Sequence, residues 1–189
     1  NGEVYNFNTL KSKLKNYHFK TKSDTEVILA AFEEWGENCV KYFKGQFSFA
    51  IWDKHKKQLF IARDRIGEKP LYYCKYMDGY VFSSEKKGLT PFIHEIIPSD
   101  IAELSFHYTF DYQYTDKTVF KNIYSVMPGH CGVITDNRLK ISRWWNTLDH
   151  LVDVPSSYDE QVKVWRKLFI DSVLIRMRSD VPIACALSG

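Results

Sequence analysis

The first 45 residues carry apolar side chains at helical spacing, separated by short polar segments. Asn8 is the expected cap of a short helix with leucines four residues apart, which places both leucines on one face. Residues 23–26, Ser-Asp-Thr-Glu, have the spacing of a capping box and precede apolar residues at helical intervals, with Gly36 as the expected end. A further short helix is predicted over 37–44.

Beyond residue 45 the spacing of apolar side chains changes to that of strands. In segment 47–52, Phe47, Phe49 and Ile51 alternate with residues that are themselves largely apolar, so we expect this strand to be covered on both faces. Segment 58–64 is the expected antiparallel partner. Turns at Asp78-Gly79 and Asp136-Asn137 predict two more hairpins. Repeated hairpins with few helices predict an α+β fold with antiparallel sheets.

The last 44 residues have a different pattern. Residues 146–157 mix acids, a proline and two serines, which is typical of a linker. Ser157 begins a second capping box, and the helix after it is expected to end near Arg178. An apolar run over 181–187 then enters a small-residue turn, which is typical of the start of a parallel α/β nucleotide site.

Composition narrows the classes of function. The 189 residues carry a net charge of +3 without a basic run, which excludes an obvious nucleic-acid surface. Cys39, Cys74, Cys131 and Cys185 are far apart, and the histidines lack metal-ligand spacing, so we expect no metal site and reduced, mostly buried thiols in a cytoplasmic protein. No stretch approaches the roughly 20 apolar residues of a membrane span. Both ends are expected to be cut points in a longer chain.

Several short blocks occur in a fixed order along the chain. They are Asn1-Gly2-Glu3, 23–28, 45–53, 62–73, 82–85, 128–130 and 179–189. This series resembles the glutaminase domain of asparagine synthetases, a class II glutamine amidotransferase domain. The resemblance implies an N-terminal-nucleophile hydrolase type of four-layer sandwich, two antiparallel sheets between helices, followed by the start of an α/β ATP-pyrophosphatase-type synthetase domain. We predict a glutaminase domain over 1–145, a linker over 146–157 and a truncated ATP-binding domain over 158–189.

The resemblance also implies roles for residues at the glutamine site. The nucleophile, an N-terminal cysteine whose own amine acts as base, would lie before Asn1, and none of the four cysteines occupies that position. The Asn1 side-chain amide and the Gly2 backbone amide would form the oxyanion hole. Asp24 would hold the α-amino group of glutamine, and Glu3 would line the same pocket. The arginine that grips the glutamine carboxylate is expected upstream.

For the intact enzyme the resemblance implies ATP and Mg²⁺ as cofactors and glutamine and aspartate as substrates. A homodimer is one expected assembly. Leu187, Ser188 and Gly189 match the start of the family's pyrophosphate loop, whose backbone amides cradle phosphates. No cofactor is expected to bind this fragment alone, and we expect the fragment to be inactive. In the intact protein, ammonia from glutamine would amidate an adenylated aspartate.

Two alternatives remain at this point. One is a related amidotransferase that uses another acceptor, such as a β-lactam synthetase-like or polysaccharide-modifying enzyme. The other is a degenerate, non-catalytic glutamine-binding module.

Arg63, Asp64 and Arg65 are expected to form a surface ion network. The resemblance implies that this block lies at the interface between the two domains. Glu68 stands where relatives usually carry an apolar or small residue, and its effect on local packing is open.

Overall fold

Two antiparallel sheets and three α-helices make up the described part of the chain, residues 1–100, 115–179 and 181–185 of a computed structural model. The strands are β1 (Gly2–Val4), β2 (Gly45–Asp53), β3 (Gln58–Arg63), β4 (Tyr72–Tyr76), β5 (Gly79–Ser83), β6 (Tyr124–Ser125), β7 (His130–Thr135) and β8 (Arg138–Arg143). The helices are α1 (Phe7–Lys13), α2 (Asp24–Trp35) and α3 (Tyr158–Arg176), with 3-10 helices at Gly36–Tyr42, Lys86–Phe92 and Thr147–His150.

The larger sheet has the strand order β1-β2-β3-β7-β8, and the smaller sheet has the order β5-β4-β6. All neighbouring strands are antiparallel. The three expected hairpins, β2–β3, β4–β5 and β7–β8, are confirmed. Asp136 and Asn137 have φ values of 49° and 58°, the left-handed conformation that a two-residue hairpin turn requires. Among the described strands, β1 lies at one edge of the larger sheet.

The apolar core lies in layers. Helices α1 and α2 cover one face of the larger sheet, where Val27 and Ala31 pack with Phe47 and Phe60. The other face packs against the smaller sheet through a second cluster, which includes Ile61, Leu71, Tyr73 and Val126. The outer face of the smaller sheet is covered by the 3-10 helix Lys86–Phe92, through Leu89, and by Ile123. The expected α+β sandwich of two antiparallel sheets is confirmed.

Strand β2 differs from the expectation that both of its faces would be covered. Phe47 and Ile51 are buried under the helices, and Phe49 is half-buried beside them. On the opposite face Trp52 is 55% exposed. The second sheet packs against β3 and β8. Near β2, the covering chain is bound at Phe47 by Asp64 and at Ser48, whose hydroxyl donates to the carbonyl of Pro70 at 3.0 Å. The sandwich holds although the end of β2 has one open face.

The N-terminal caps of helices α1 and α2 differ from the sequence prediction. Helix α1 is capped at Asn6 rather than Asn8, and Asn6 uses its side chain to bind the backbone of Tyr42 and Lys44. At α2 the Ser23 hydroxyl accepts from the amide of Thr25, as a cap does. Glu26, however, accepts from the amides of Lys20 and Thr21 and from the Thr21 hydroxyl, which come before the cap in the chain. The predicted capping box is therefore only half formed, since the preceding turn competes for the glutamate.

Helix α3 has a largely exposed surface. Its predicted cap, Ser157, makes no side-chain cap hydrogen bond. Trp165 and Phe169 stack on each other with ring centroids 5.2 Å apart, yet both remain more than half exposed. The C-terminal end of α3 contacts the rest of the chain through Arg176, which lies 3.6 Å from Glu68. Within the described ranges, no helix has the length and apolar character needed to cross a bilayer.

Candidate functional site

The outer edge of β1 presents the backbone amide of Gly2. Asn1 and Ser48 exchange two backbone hydrogen bonds, with N–O distances of 3.0 and 2.8 Å. In an antiparallel pair only alternate residues bond to the partner strand, so the next residue, Gly2, directs its amide away from β2. This amide is the predicted backbone donor of the oxyanion hole, and the strand register leaves it at the edge.

Position 2 requires glycine. Gly2 has a φ of +115°, a conformation that other residues rarely adopt. A Cβ atom at this position would lie 2.0 Å from the carbonyl oxygen of Gln46 and 2.8 Å from the Cα of Phe47. β1 and β2 therefore approach too closely here for a side chain.

Asp24 is fixed to the same edge of β1. Its Oδ2 atom accepts from the amide of Val4 at 2.9 Å, and its Oδ1 atom lies 3.5 Å from the Ser23 hydroxyl. Val4 is two residues after Gly2, so the two amides point the same way and lie about 7 Å apart along the edge. As the first residue of α2, Asp24 also has its negative charge at the positive end of the helix dipole. The structure therefore brings Gly2 and Asp24 together.

The other two predicted residues lie at either side of this edge. The Asn1 side-chain amide donates to the hydroxyl of Ser84, which follows β5, at 3.2 Å. Glu3 lines a cavity of about 400 Å³ together with Lys11, Lys22 and Arg178, so most of the charge around Glu3 is positive. All four predicted glutamine-site residues are thus on β1 and its neighbours, although they face different parts of the surface.

Arg63 and Asp64 are buried, with exposed fractions of 3% and 1%, so the expected surface ion network is wrong for both. The Asp64 carboxylate accepts from five backbone amides: those of Ile66, Gly67 and Glu68 at Oδ1, and those of Phe47 and Lys69 at Oδ2. The Arg63 guanidinium donates to the carbonyls of Gly67, Lys69 and Val126. These charges hold loop 64–70 by binding its backbone.

Sequence reasoning missed this role, although the sequence contains one signal for it. An aspartate at the end of an apolar strand, followed three residues later by Gly67, is the usual pattern of a side chain that binds the amides of a following turn. Arg65 is partly buried too, with its guanidinium carbon 4.6 Å from the ring centroid of Trp145. Burial lowers the pKa of this guanidinium.

The cysteines of the described chain have the environment of core residues. Cys39, Cys74 and Cys131 are buried, whereas Cys185 is exposed. Burial raises the pKa of the Cys39 thiol from its ordinary value of 9.0 to about 12, and it raises the pKa values of Cys74 and Cys131 as well. The three buried thiols stay protonated at neutral pH, and a protonated thiol is a poor nucleophile.

The predicted ATP-binding residues Leu187, Ser188 and Gly189 lie outside the described residues, as does Asp180 of the preceding block. In the part of the chain that the structure describes, no group of three or more histidine, cysteine, aspartate or glutamate side chains is placed to hold a metal ion. Glu68, the departure noted in the sequence, is partly exposed and lies near Arg176 of α3.

Solved structures share this fold. Glutamine phosphoribosylpyrophosphate amidotransferase from Bacillus subtilis, solved in complex with ADP and GMP, superposes with a TM-score of 0.54 at 23% sequence identity. The match covers 77% of this chain and 28% of that chain. At this identity the likeness speaks for the fold alone, and it confirms the expected N-terminal-nucleophile hydrolase type of sandwich.

Curated relatives match along the whole chain. Asparagine synthetase [glutamine-hydrolyzing] 3 of Bacillus subtilis is 36% identical in an alignment of 192 positions that covers 100% of this chain and 31% of that protein. Putative asparagine synthetase [glutamine-hydrolyzing] 2 of Methanocaldococcus jannaschii is 37% identical in an alignment of 198 positions that covers 100% of this chain and 37% of that protein. The chain thus spans about a third of the length of these relatives. A family model described as a glutamine amidotransferase domain matches residues 1–145. The chain therefore belongs to the glutamine amidotransferase domain family.

Proposed function

We propose that this chain is the glutamine-binding part of a longer ATP-dependent ligase of the asparagine synthetase type. In that enzyme, ammonia released from glutamine amidates an adenylated aspartate. The single observation that carries the proposal is the edge of β1, where the Gly2 amide and the Val4 amide, which binds the Asp24 carboxylate, point the same way about 7 Å apart. An amide donor near a fixed carboxylate suits a substrate that has a reacting carbonyl and an ammonium group.

The oxyanion hole consists of the Gly2 backbone amide and the Asn1 side-chain amide. When a nucleophile attacks the side-chain carbonyl of glutamine, negative charge develops on its oxygen. Fixed donors at that oxygen stabilise the transition state by about 3–4 kcal/mol each. The Asn1 amide, which donates to Ser84 here, would exchange that hydroxyl for the oxyanion.

Asp24 binds the α-amino group of glutamine. One of its oxygens already accepts from Val4, and a carboxylate has about four acceptor positions, so capacity remains for an ammonium donor. Asp24 is only partly buried, which leaves its carboxylate accessible from the edge. Glu3 would line the same pocket in this proposal, although the cavity that it lines here also contains Lys11, Lys22 and Arg178 rather than Asp24.

The remaining parts of the reaction lie outside the described residues. The nucleophile is an N-terminal cysteine before Asn1, activated by its own amine. Leu187, Ser188 and Gly189 begin the loop that binds the phosphates of Mg-ATP, within an ATP-binding domain that starts after linker 146–157. We keep a cytoplasmic location and a homodimer as predictions of the same proposal.

Measurement of glutamate release tests whether the nucleophile lies before Asn1 and whether ATP cleavage needs a further domain. Residues 1–189 should release no glutamate, and the same residues preceded by the upstream segment of the natural protein should hydrolyse glutamine without cleaving ATP. Both proteins are assayed with and without ATP. Glutamate formation by residues 1–189 alone would overturn the assignment of the nucleophile. A natural upstream segment that lacks the N-terminal cysteine would favour a non-catalytic binding module.

A further inference from the structure

The Asp64 carboxylate lies near the candidate site and is heavily hydrogen-bonded. It is 1% exposed and accepts from five backbone amides at distances from 2.7 to 3.2 Å. Four of these amides belong to the loop that directly follows it. The fifth, that of Phe47, belongs to β2 and is 17 residues away in sequence. One side chain therefore ties loop 64–70 to the strand that supports β1.

Both polar backbone groups of Phe47 are held by Asp64. The Phe47 amide donates to Oδ2 at 3.2 Å, and the Phe47 carbonyl accepts from the Asp64 amide at 2.8 Å. Phe47 is also the residue of β2 directly opposite Gly2. In this register Gly2 and Phe47 do not bond to each other, so the backbone of Phe47 depends on Asp64 on the side away from β1.

The backbone of Gly2 rests directly on this part of β2. Any Cβ atom at Gly2 would lie 2.0 Å from the Gln46 carbonyl oxygen, so the two strands are in close backbone contact. A shift of the Gln46–Phe47 peptide must therefore move Gly2. Movements of about 1 Å in a catalytic group are enough to reduce a rate about a hundredfold.

We infer that Asp64 is a positioning residue for glutamine hydrolysis, which sets the orientation of the Gly2 amide by holding Phe47. This inference rests on the proposed function, because it assumes that the Gly2 amide stabilises the oxyanion. Asp64 touches neither glutamine nor the reacting atoms in this assignment. Its influence passes through β2, and it acts on the transition state rather than on substrate binding.

The test is Asp64→Asn in the full-length protein, with kinetics of glutamate release. Three amides meet at Oδ1, so they will hold the carbonyl oxygen of the asparagine there. Its NH2 group then faces the Phe47 and Lys69 amides, and those two hydrogen bonds are lost. We expect kcat to fall about a hundredfold, with KM for glutamine and the rate with free ammonia unchanged.

Ser48→Ala is the matched control. Ser48 is buried, is the next residue of β2 and ties this strand to Pro70 of the same loop, but through its hydroxyl rather than through Phe47. Its kcat should stay near the wild-type value. An equal fall of kcat in both variants, or a rise of KM in Asp64→Asn with unchanged kcat, would overturn the inference.

Two further measurements keep the inference separate from the proposed function and from folding. If the wild-type full-length protein releases no glutamate, the proposed function fails and the inference fails with it. If the wild type is active and Asp64→Asn is equally active, only the inference fails. Hydrogen exchange on the wild-type protein needs no variant: the Phe47 and Lys69 amides should both be strongly protected. Exchange of either amide at the rate of an open loop would contradict the assignment.

Discussion

At the scale of single residues, a variant of Asp24 can show whether this side chain binds substrate or only stabilises the structure. Asp24→Asn keeps an oxygen for the Val4 amide but removes the charge that pairs with the ammonium of glutamine. A hydrogen bond to a charged group contributes about 1.5–3 kcal/mol, so we expect the KM for glutamine to rise about tenfold to a hundredfold. Steady-state kinetics of the full-length protein measure this, and synthesis with free ammonia should persist. Equal loss of both activities would mark Asp24 as a structural residue only.

Gly2 offers a second test at this scale. Gly2→Ala places a Cβ 2.0 Å from the Gln46 carbonyl and should separate β1 from β2. Gly36→Ala is the matched control, because Gly36 also has a positive φ but nothing within 4 Å of its Cβ position. Because Gly36 has φ 57° and ψ −140°, a conformation found almost only in glycine, the control should itself cost about 1–3 kcal/mol of unfolding free energy. Gly2→Ala should cost more and abolish glutamate release, whereas an active and equally stable Gly2→Ala protein would contradict the described strand contact.

The sequence predicted some of these residues and not others, for physical reasons. Gly2 and Asp24 lie in blocks whose order carries a family resemblance, so their positions could be proposed before the structure. Asp64 was interpreted as a surface charge, because most aspartates are exposed. Its burial depends on five amides that converge only when the loop closes on β2, and no local pattern shows that convergence.

At the scale of elements, strand β2 and its covering helices provide the test of the core. Phe47 is 1% exposed and meets Phe43 edge to face, with ring centroids 5.6 Å apart. Phe47→Ala should therefore cost about 3–5 kcal/mol. Phe49→Ala removes the same side chain from the same face of the strand, but Phe49 is only half-buried, so its cost should fall below that range. Urea unfolding of the two variants compares them, and equal costs would contradict the described burial.

The local sequence predicted helices, strands and turns better than it predicted which of their side chains are covered or capped in the fold. The hairpin turns at Asp78-Gly79 and Asp136-Asn137 were identified because turn chemistry is local. The exposure of Trp52 was not, since it depends on where the smaller sheet ends above β2. The cap at Ser23 is half formed for a similar reason. Glu26 accepts from the amides of Lys20 and Thr21 in the preceding turn, and the sequence alone does not show how that turn folds.

At the scale of the whole molecule, the buried thiols should make the free energy of unfolding fall as the pH becomes alkaline. The pKa of Cys39 is about 12 in the folded protein against an ordinary value of 9.0, so the folded state keeps a proton that the unfolded state loses. The stabilising contribution is complete below pH 9.0 and is lost as the pH rises towards about 12. Unfolding free energies measured by urea across this range should fall less steeply for Cys39→Ala than for the wild type. Parallel pH profiles would contradict the burial of the thiol.

In the proposed function, this chain supplies ammonia from glutamine to a second site in a longer enzyme. The most direct measurement gives the full-length protein glutamine labelled with ¹⁵N in its side-chain amide, together with aspartate and Mg-ATP. Mass spectrometry then follows the label. We expect glutamate release and ¹⁵N in the side-chain amide of newly formed asparagine, with no labelled asparagine when ATP is omitted. Absence of both glutamate and labelled asparagine in the complete mixture would contradict the proposed function.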